Sequence, residues 1–300
     1  MSTVPLRYSQ NFLRDPRLVE RLIVLSCIRS DDLVVEIGPG AGALTDCLAR
    51  RCGRVVAVEL DASLARRLMR RYAALPHVTI QHGDFLDFTL PSEPYKVFAS
   101  IPFARTHDIM TKLTATSQAP EEMCLIMQRE AAEKFCGAPR ECLYSMLLKP
   151  WFTAEITHHF RRSDFIPAPG VDVVLLRMEK RGPPLVAAHE RQLFRDFLVY
   201  GFTTRQPTLA LSLRDLLTHR QLHQAFTQCA LAPDITPSRV TFSQWLALFH
   251  ATMRLGGSRA RDQISGGEQA LRARQAQLRK RHRTTTLRGR GRYACPETTR

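Results

Sequence analysis

The stretch Val34-Val-Glu-Ile-Gly-Pro-Gly-Ala-Gly42 decides the fold. A short apolar run feeds into three glycines at positions 38, 40 and 42, and a helical pattern over Ala43–Arg51 follows at once. Glycine lets a backbone approach a ligand closely and adopt torsions closed to other residues, so a strand–turn–helix unit of this kind predicts a nucleotide site. Glu59 lies 21 residues beyond Gly38, at the end of the next predicted strand. A carboxylate there can accept hydrogen bonds from both ribose hydroxyls of an adenosine ligand. Gly38-x-Gly40-x-x-Ala43 also fits the dinucleotide pattern with alanine in its third place. At this point NAD and adenosylmethionine both remain open.

Outward from this unit, apolar runs alternate with helical patterns. Strands are predicted at Leu33–Ile37, Arg54–Glu59, Val78–His82, Lys96–Ile101 and Met123–Gln128, with one or two more in Val171–Met178. Between them lie helical stretches such as Ala43–Arg51 and Ala62–Leu75. Short runs apolar throughout suit strands covered on both faces, and the alternation predicts an α/β domain over residues 1–180 with a largely parallel sheet. Arg181-Gly-Pro-Pro184 reads as a linker. Apolar residues spaced three and four apart then predict a small all-α domain over 185–255. From 256 to 300 there are 12 Lys/Arg against 3 Asp/Glu, including Arg288-Gly-Arg290-Gly-Arg292, and few large apolar residues. Such a segment cannot bury enough surface to fold alone, so a disordered basic tail for polyanions is expected.

The whole chain of 300 residues carries a formal charge of +15. This balance favours polyanionic partners over acidic ones and says little about fold. Eight cysteines form no Cys-x-x-Cys pair, which argues against a zinc site, and no metal is expected. There is no charged-then-apolar leader and no apolar run long enough to span a bilayer, so a cytoplasmic protein without membrane attachment is expected.

Two further strand ends carry candidate site residues. The third strand ends in Gly83-Asp-Phe85, where Asp84 can accept from an adenine amino group and Phe85 can pack on the ring; alone, such an aspartate is more often a turn cap. The fourth ends in Ser100-Ile-Pro-Phe103, at the crevice where open α/β sheets bind ligands. Pro102 fixes the backbone and biases Ile101 towards an extended conformation, which aims its carbonyl into the site.

Together with Gln10-Asn-Phe-Leu13 and Phe165-Ile-Pro-Ala-Pro-Gly-Val171, these motifs occur in an order that resembles the ribosomal-RNA adenine N6-methyltransferase superfamily. The similarity runs from about residue 8 to 250. Thr241-Phe-Ser-Gln-Trp-Leu-Ala-Leu-Phe249 resembles the erythromycin-resistance branch more than the small-subunit dimethyladenosine branch. The resemblance implies a Rossmann-like class I methyltransferase sheet with helices on both faces, and S-adenosyl-L-methionine as cofactor. It implies that Asn11 and Leu13 lie against the methionine end, that Gly38, Gly40 and Gly42 approach the cofactor through the backbone, and that Glu59 holds the ribose. Asp84 and Phe85 would hold the adenine. Ser100 and the Ile101 carbonyl would face the target amine, Pro102 would fix the loop, and Phe103 and Phe165 would contact a flipped adenine. The implied partner is 23S rRNA in nascent or partly assembled large subunits, methylated by a monomer to block macrolide, lincosamide and streptogramin B binding. Ser100 departs from the asparagine common at that position, which bears on whether one or two methyl groups are added. A small-subunit rRNA dimethyltransferase and a non-catalytic nucleic-acid-binding relative are the alternatives.

Overall fold

The computed structural model describes residues 12–116, 118–204 and 206–277. Its elements run β1 (Phe12–Leu13), α1 (Pro16–Leu25), β2 (Leu33–Ile37), α2 (Ala43–Arg51), β3 (Arg54–Glu59), α3 (Ala62–Arg71), β4 (Val78–His82), β5 (Lys96–Ser100) and α4 (Thr106–Thr114). There follow β6 (Glu122–Gln128), α5 (Arg129–Cys136), α6 (Leu143–Leu148), β7 (Phe152–His159), β8 (Phe165–Ile166) and β9 (Val173–Lys180). The remainder is helical: α7 (Arg191–Thr203), α8 (Leu209–Leu213), α9 (His219–Gln228), α10 (Phe242–Ile264) and α11 (Gly267–Gln277).

Seven strands form one mixed sheet in the order β4-β3-β2-β5-β6-β9-β7. The first five are parallel, and β9 inserts antiparallel between β6 and β7. The chain reverses direction across the sheet between β2 and β5, and this switch point opens a crevice at the carboxyl ends of both strands. Adjacent strand residues feed opposite cores, as a period of two requires. Val34, Phe98, Cys124 and Ile126 pack under α1, α2 and α3, whereas Val35, Val97, Met123 and Leu125 pack under α4 and α5. This is the Rossmann-like sheet with helices on both faces. A third core, built on Phe194, Phe197, Trp245 and Phe249, joins the C-terminal helices.

Two predicted boundaries move. The segment from Val171 forms a single strand, β9, and the edge strand β7 was not anticipated from the sequence. Residues 256–277 are helical, where a disordered tail had been expected. Gly257 breaks the helix locally at φ +57, α10 resumes to Ile264, and α11 runs to Gln277. Tertiary contacts supply what composition lacks: Ala260 and Ile264 are buried in the third core. Asp196 of α7 accepts the backbone N–H groups of Gly266 and Glu268, capping α11, and Glu268 in turn accepts two 2.7 Å hydrogen bonds from Arg195. Residues 278–300, with Arg288-Gly-Arg290-Gly-Arg292, lie outside the described residues, as does Asn11.

Candidate active site

A cleft opens at the carboxyl ends of β2, β5 and β6. Its walls are Gly38, Pro39, Ala41, Ala43 and Leu44 on one side and Ser100, Ile101, Pro102 and Phe103 on another, closed by Leu13, Ile126, Phe165 and Val173. The sheet order brings these distant segments together, and the short β1–β8 pairing, Phe12 with Ile166 and Leu13 with Phe165, ties the N-terminal segment to the proline-rich loop. Of the residues predicted for the site, Leu13, Gly38, Ser100, Ile101, Pro102, Phe103 and Phe165 line this one cleft.

The glycines divide by role. Gly38 sits at φ +68, and a Cβ there would meet nothing within 4 Å, so the backbone presents a clear face. Gly40, at φ +57, donates its N–H to Glu59 Oε2 at 2.9 Å. Gly42 serves packing instead: at φ +92, a Cβ would stand 2.9 Å from both Leu68 and the Tyr72 hydroxyl. The absence of a side chain there permits a close approach between the turn and α3.

Glu59 is almost fully buried, and each of its oxygens already accepts one backbone N–H, from Gly40 and from Asp61 at 2.8 Å. Each retains a second lone pair, so the carboxylate is fixed in place with acceptor capacity left. Asp84 caps its own turn through the Leu86 N–H at 2.9 Å and pairs with Arg105 at 3.3 Å. Arg105, which follows the Ser100–Phe103 segment, was not anticipated. Phe85 does not reach the cleft. It packs into the core beside Phe88 with Lys112 at 5.3 Å from the ring centroid.

At the end of β5, Pro102 holds φ −61 and ψ 124, and Ile101 donates its N–H to the Ile126 carbonyl at 3.1 Å. Among the described residues, neither the Ser100 hydroxyl nor the Ile101 carbonyl is engaged by a protein donor. Two acceptors thus stand free at the cleft, beside the half-buried ring of Phe103. Phe165 packs against Phe160, ring centroids 5.2 Å apart, and Phe160 against His158 at 4.7 Å. No pattern in the sequence signalled this backing.

Glu36, inside the fold-deciding stretch, was also passed over. It is fully buried on β2; Thr45 donates to its Oε2 at 2.7 Å, and Oε1 has no partner among the described residues. Burial, opposed by the Thr45 hydrogen bond and reinforced by Glu59 and Asp46, pushes its pKa up to about 8. A lone acid in an otherwise apolar strand was the available signal. At the amino edge of the sheet, Cys27, Glu122 and Glu179 cluster, but the Arg177 guanidinium fills the space among them, 2.8 Å from both Glu122 and Cys27.

Residues 1–253 match the family described as ribosomal RNA adenine dimethylase. The chain belongs to this family. An rRNA methyltransferase of Streptomyces thermotolerans is 34% identical over 245 residues, 81% of either chain. An rRNA adenine N-6-methyltransferase of Aeromicrobium erythreum is 34% identical over 87% of this chain and 76% of its own. The ribosomal RNA small subunit methyltransferase A of Geobacter metallireducens is 31% identical over 83% of this chain and 95% of its own. Among solved structures, the 23S rRNA methyltransferase ErmE superposes with a TM-score of 0.75 at 28% identity, covering 81% of this chain and 99% of that one. The protein is thus an rRNA adenine methyltransferase, and its substrate is RNA. Among the described residues no helix is long and apolar enough to cross a membrane.

Trp245, in the segment that points to the resistance branch, is fully buried against Phe202 and Phe197. Gly201 makes room for it, since a Cβ there would fall 2.5 Å from the indole. Gln244 caps its own helix with Thr241. The segment packs the core of the helical domain and supplies no residue to the cleft's lining.

Proposed function

We propose that the protein transfers a methyl group from S-adenosyl-L-methionine to the exocyclic N6 of an unpaired adenine in 23S rRNA. The methylated ribosome would then resist macrolides, lincosamides and streptogramin B. The observation that carries the chemistry is the pair of unengaged acceptors, Ser100 Oγ and the Ile101 carbonyl, placed beside Phe103 in the cleft that Gly38 opens.

The residues fit the cofactor. Gly38 keeps its face clear, and Glu59 holds two lone pairs ready for ribose hydroxyls. When bound, the cofactor supplies an electrophilic methyl on a sulfonium leaving group. The chain's task lies on the amine side. An adenine amino lone pair is delocalised into the ring, so the nitrogen attacks only as it pyramidalises. Acceptors aimed at its hydrogens favour that change in the transition state, without a strong base. Ser100 and the Ile101 carbonyl are placed for this, and Phe103 for stacking on the extruded base. Asp84, already bonded to Leu86 and Arg105, keeps acceptor capacity for an adenine amino group.

Support for the large-subunit target comes from ErmE, whose whole length the chain matches, and from the buried Trp245 segment. The 31% identity to a small-subunit methyltransferase keeps 16S rRNA as the second reading. Incubation of the purified chain with labelled adenosylmethionine and protein-free 23S or 16S rRNA, followed by primer extension, separates the two. Label confined to one adenine of 23S rRNA is expected. Label in 16S rRNA alone would overturn the assignment of subunit, and label in neither would overturn the reaction.

A further inference from the structure

Beyond the methyl-transfer cleft, the surface next to the Ser100–Phe103 segment carries an exposed aromatic pair. α4 starts at Thr106, directly after the Phe103–Arg105 turn, and places exposed His107 four residues beyond Phe103. Tyr144, on α6, stands edge-on to His107 with ring centroids 5.6 Å apart at 77°. It also stands edge-on to the buried Phe135 at 6.4 Å and 76°. Tyr144 is thus held from two sides, yet 41% of it is open to solvent, and its hydroxyl has no partner among the described residues. Two exposed cations lie close to it along the chain: Lys134, next to Phe135 and with its carbonyl accepting from Cys142 Sγ at 3.2 Å, and Arg140, four residues before Tyr144. Neither makes an ion pair among the described residues, whereas Arg105, Arg129 and Lys149 nearby all do.

An aromatic ring that is held by two others, open to solvent and close in the chain to two exposed cations without ion pairs among the described residues suits an unpaired nucleobase with its phosphate. We propose that Tyr144, steadied by His107 and Phe135, is a stacking platform for a nucleotide neighbouring the methylated adenine. This inference rests on the reading of the protein as an rRNA methyltransferase and deepens it. Extruding the target adenine strips its neighbour of one stacking partner, and a protein ring that replaces it lowers the cost of extrusion. The platform is tolerant of base identity because every base has a π-face.

The test uses the full chain and an rRNA fragment that the wild type methylates, from whichever subunit that proves to be. Tyr144→Ala is expected to raise the RNA KM by roughly five- to hundred-fold, the span measured for single base–aromatic stacks. Adenosylmethionine binding, read by calorimetry, stays unchanged. Tyr144→Leu keeps the apolar packing on Phe135 and is expected to lose RNA affinity as Tyr144→Ala does, while Tyr144→Phe stays near wild type. A 2-aminopurine next to the target adenine should be quenched on binding to wild type and not to Tyr144→Leu. Normal RNA KM in Tyr144→Leu would overturn the platform while leaving the methyltransferase reading intact. A Tyr144→Phe defect as large as that of Tyr144→Ala would overturn it too, since the hydroxyl and not the ring would then carry the effect.

Discussion

Phe103 and Glu36 differ in kind: the first lines the cleft and is proposed to stack on the substrate base, the second is an acid buried within an apolar strand. If Phe103 stacks on the extruded adenine, Phe103→Ala should cost about 1–3 kcal/mol of base stacking. Methyl transfer to rRNA then falls at least several-fold with cofactor affinity retained; normal transfer by this variant would remove Phe103 from the site. Glu36, with its pKa pushed up to about 8 by burial, is favoured as the neutral acid in the folded chain. Its native pKa lies above the unfolded value of 4.5, so its contribution is fully present below about pH 4.5. That contribution is lost as pH rises through 8. Glu36→Gln is therefore expected to melt at a higher temperature than wild type at pH 9 and to show a flatter melting profile between pH 5 and 9. Parallel profiles for the two proteins would refute the assignment of that slope to Glu36. What could be read from the sequence at this scale was the set of residues whose identity is tied to backbone geometry: Gly38, Pro102, and Glu59 at a strand end. The packing roles of Gly42 and Phe85 were not legible, because sequence spacing cannot separate a glycine facing a ligand from one facing Leu68 and Tyr72. Nor can it separate a phenylalanine on a cofactor from one in the core.

Among elements, β2, β3 and β4 coincide with their predicted limits because each is a compact apolar run bounded by polar or turn residues. β7 escaped notice for the opposite reason. It is an edge strand whose residues alternate between partly buried and exposed, and its His158 and His159 resemble surface loop. α11 escaped because its own composition, rich in Arg and Gln, holds no apolar stripe; its order derives from α7. Burial of Glu268 works against its charge, but the hydrogen bonds and charges of Arg195 and Arg272 outweigh it and hold the carboxyl down to about 2. The native pKa is depressed, so this contribution is present above about pH 4.5 and lost as pH falls towards 2. Removing one partner of a buried pair costs about 3–5 kcal/mol when the other stays buried. Because one of its two partners, Arg272, is exposed, Glu268→Ala is expected to cost somewhat less, and mainly in the helical domain. Hydrogen exchange would read it as early opening of α11 and the end of α7, with the sheet unaffected. Protection unchanged in α11 would mean that Ala260 and Ile264, not the ion pair, hold the extension.

At the scale of the whole molecule, charge and fold part company. The described extension over 256–277 holds four basic and two acidic residues, while residues 278–300 hold eight Lys/Arg against Glu297 alone. Most of the positive excess at the C-terminus therefore lies past α11, on a segment that α11 fixes to the helical domain. A cut at Gly256 would remove Ala260 and Ile264 from a core and leave Asp196 and Arg195 without their partners, so it would confound folding with RNA contact. A cut after Gln277 leaves every described residue in place. Each phosphate neutralised on single-stranded RNA contributes about −0.7 to the slope of log affinity against log salt. Three or more contacts made by residues 278–300 would then flatten the slope by about 2 or more when the chain ends at Gln277. RNA affinity at low salt should fall, while adenosylmethionine binding and the melting temperature stay as in the full chain. The experiment is a salt titration of binding to the methylatable rRNA fragment, full chain against chain cut after Gln277. An identical slope in both would place the rRNA's electrostatic contacts entirely on the folded domains, with exposed Lys134 and Arg140 as the first residues to examine.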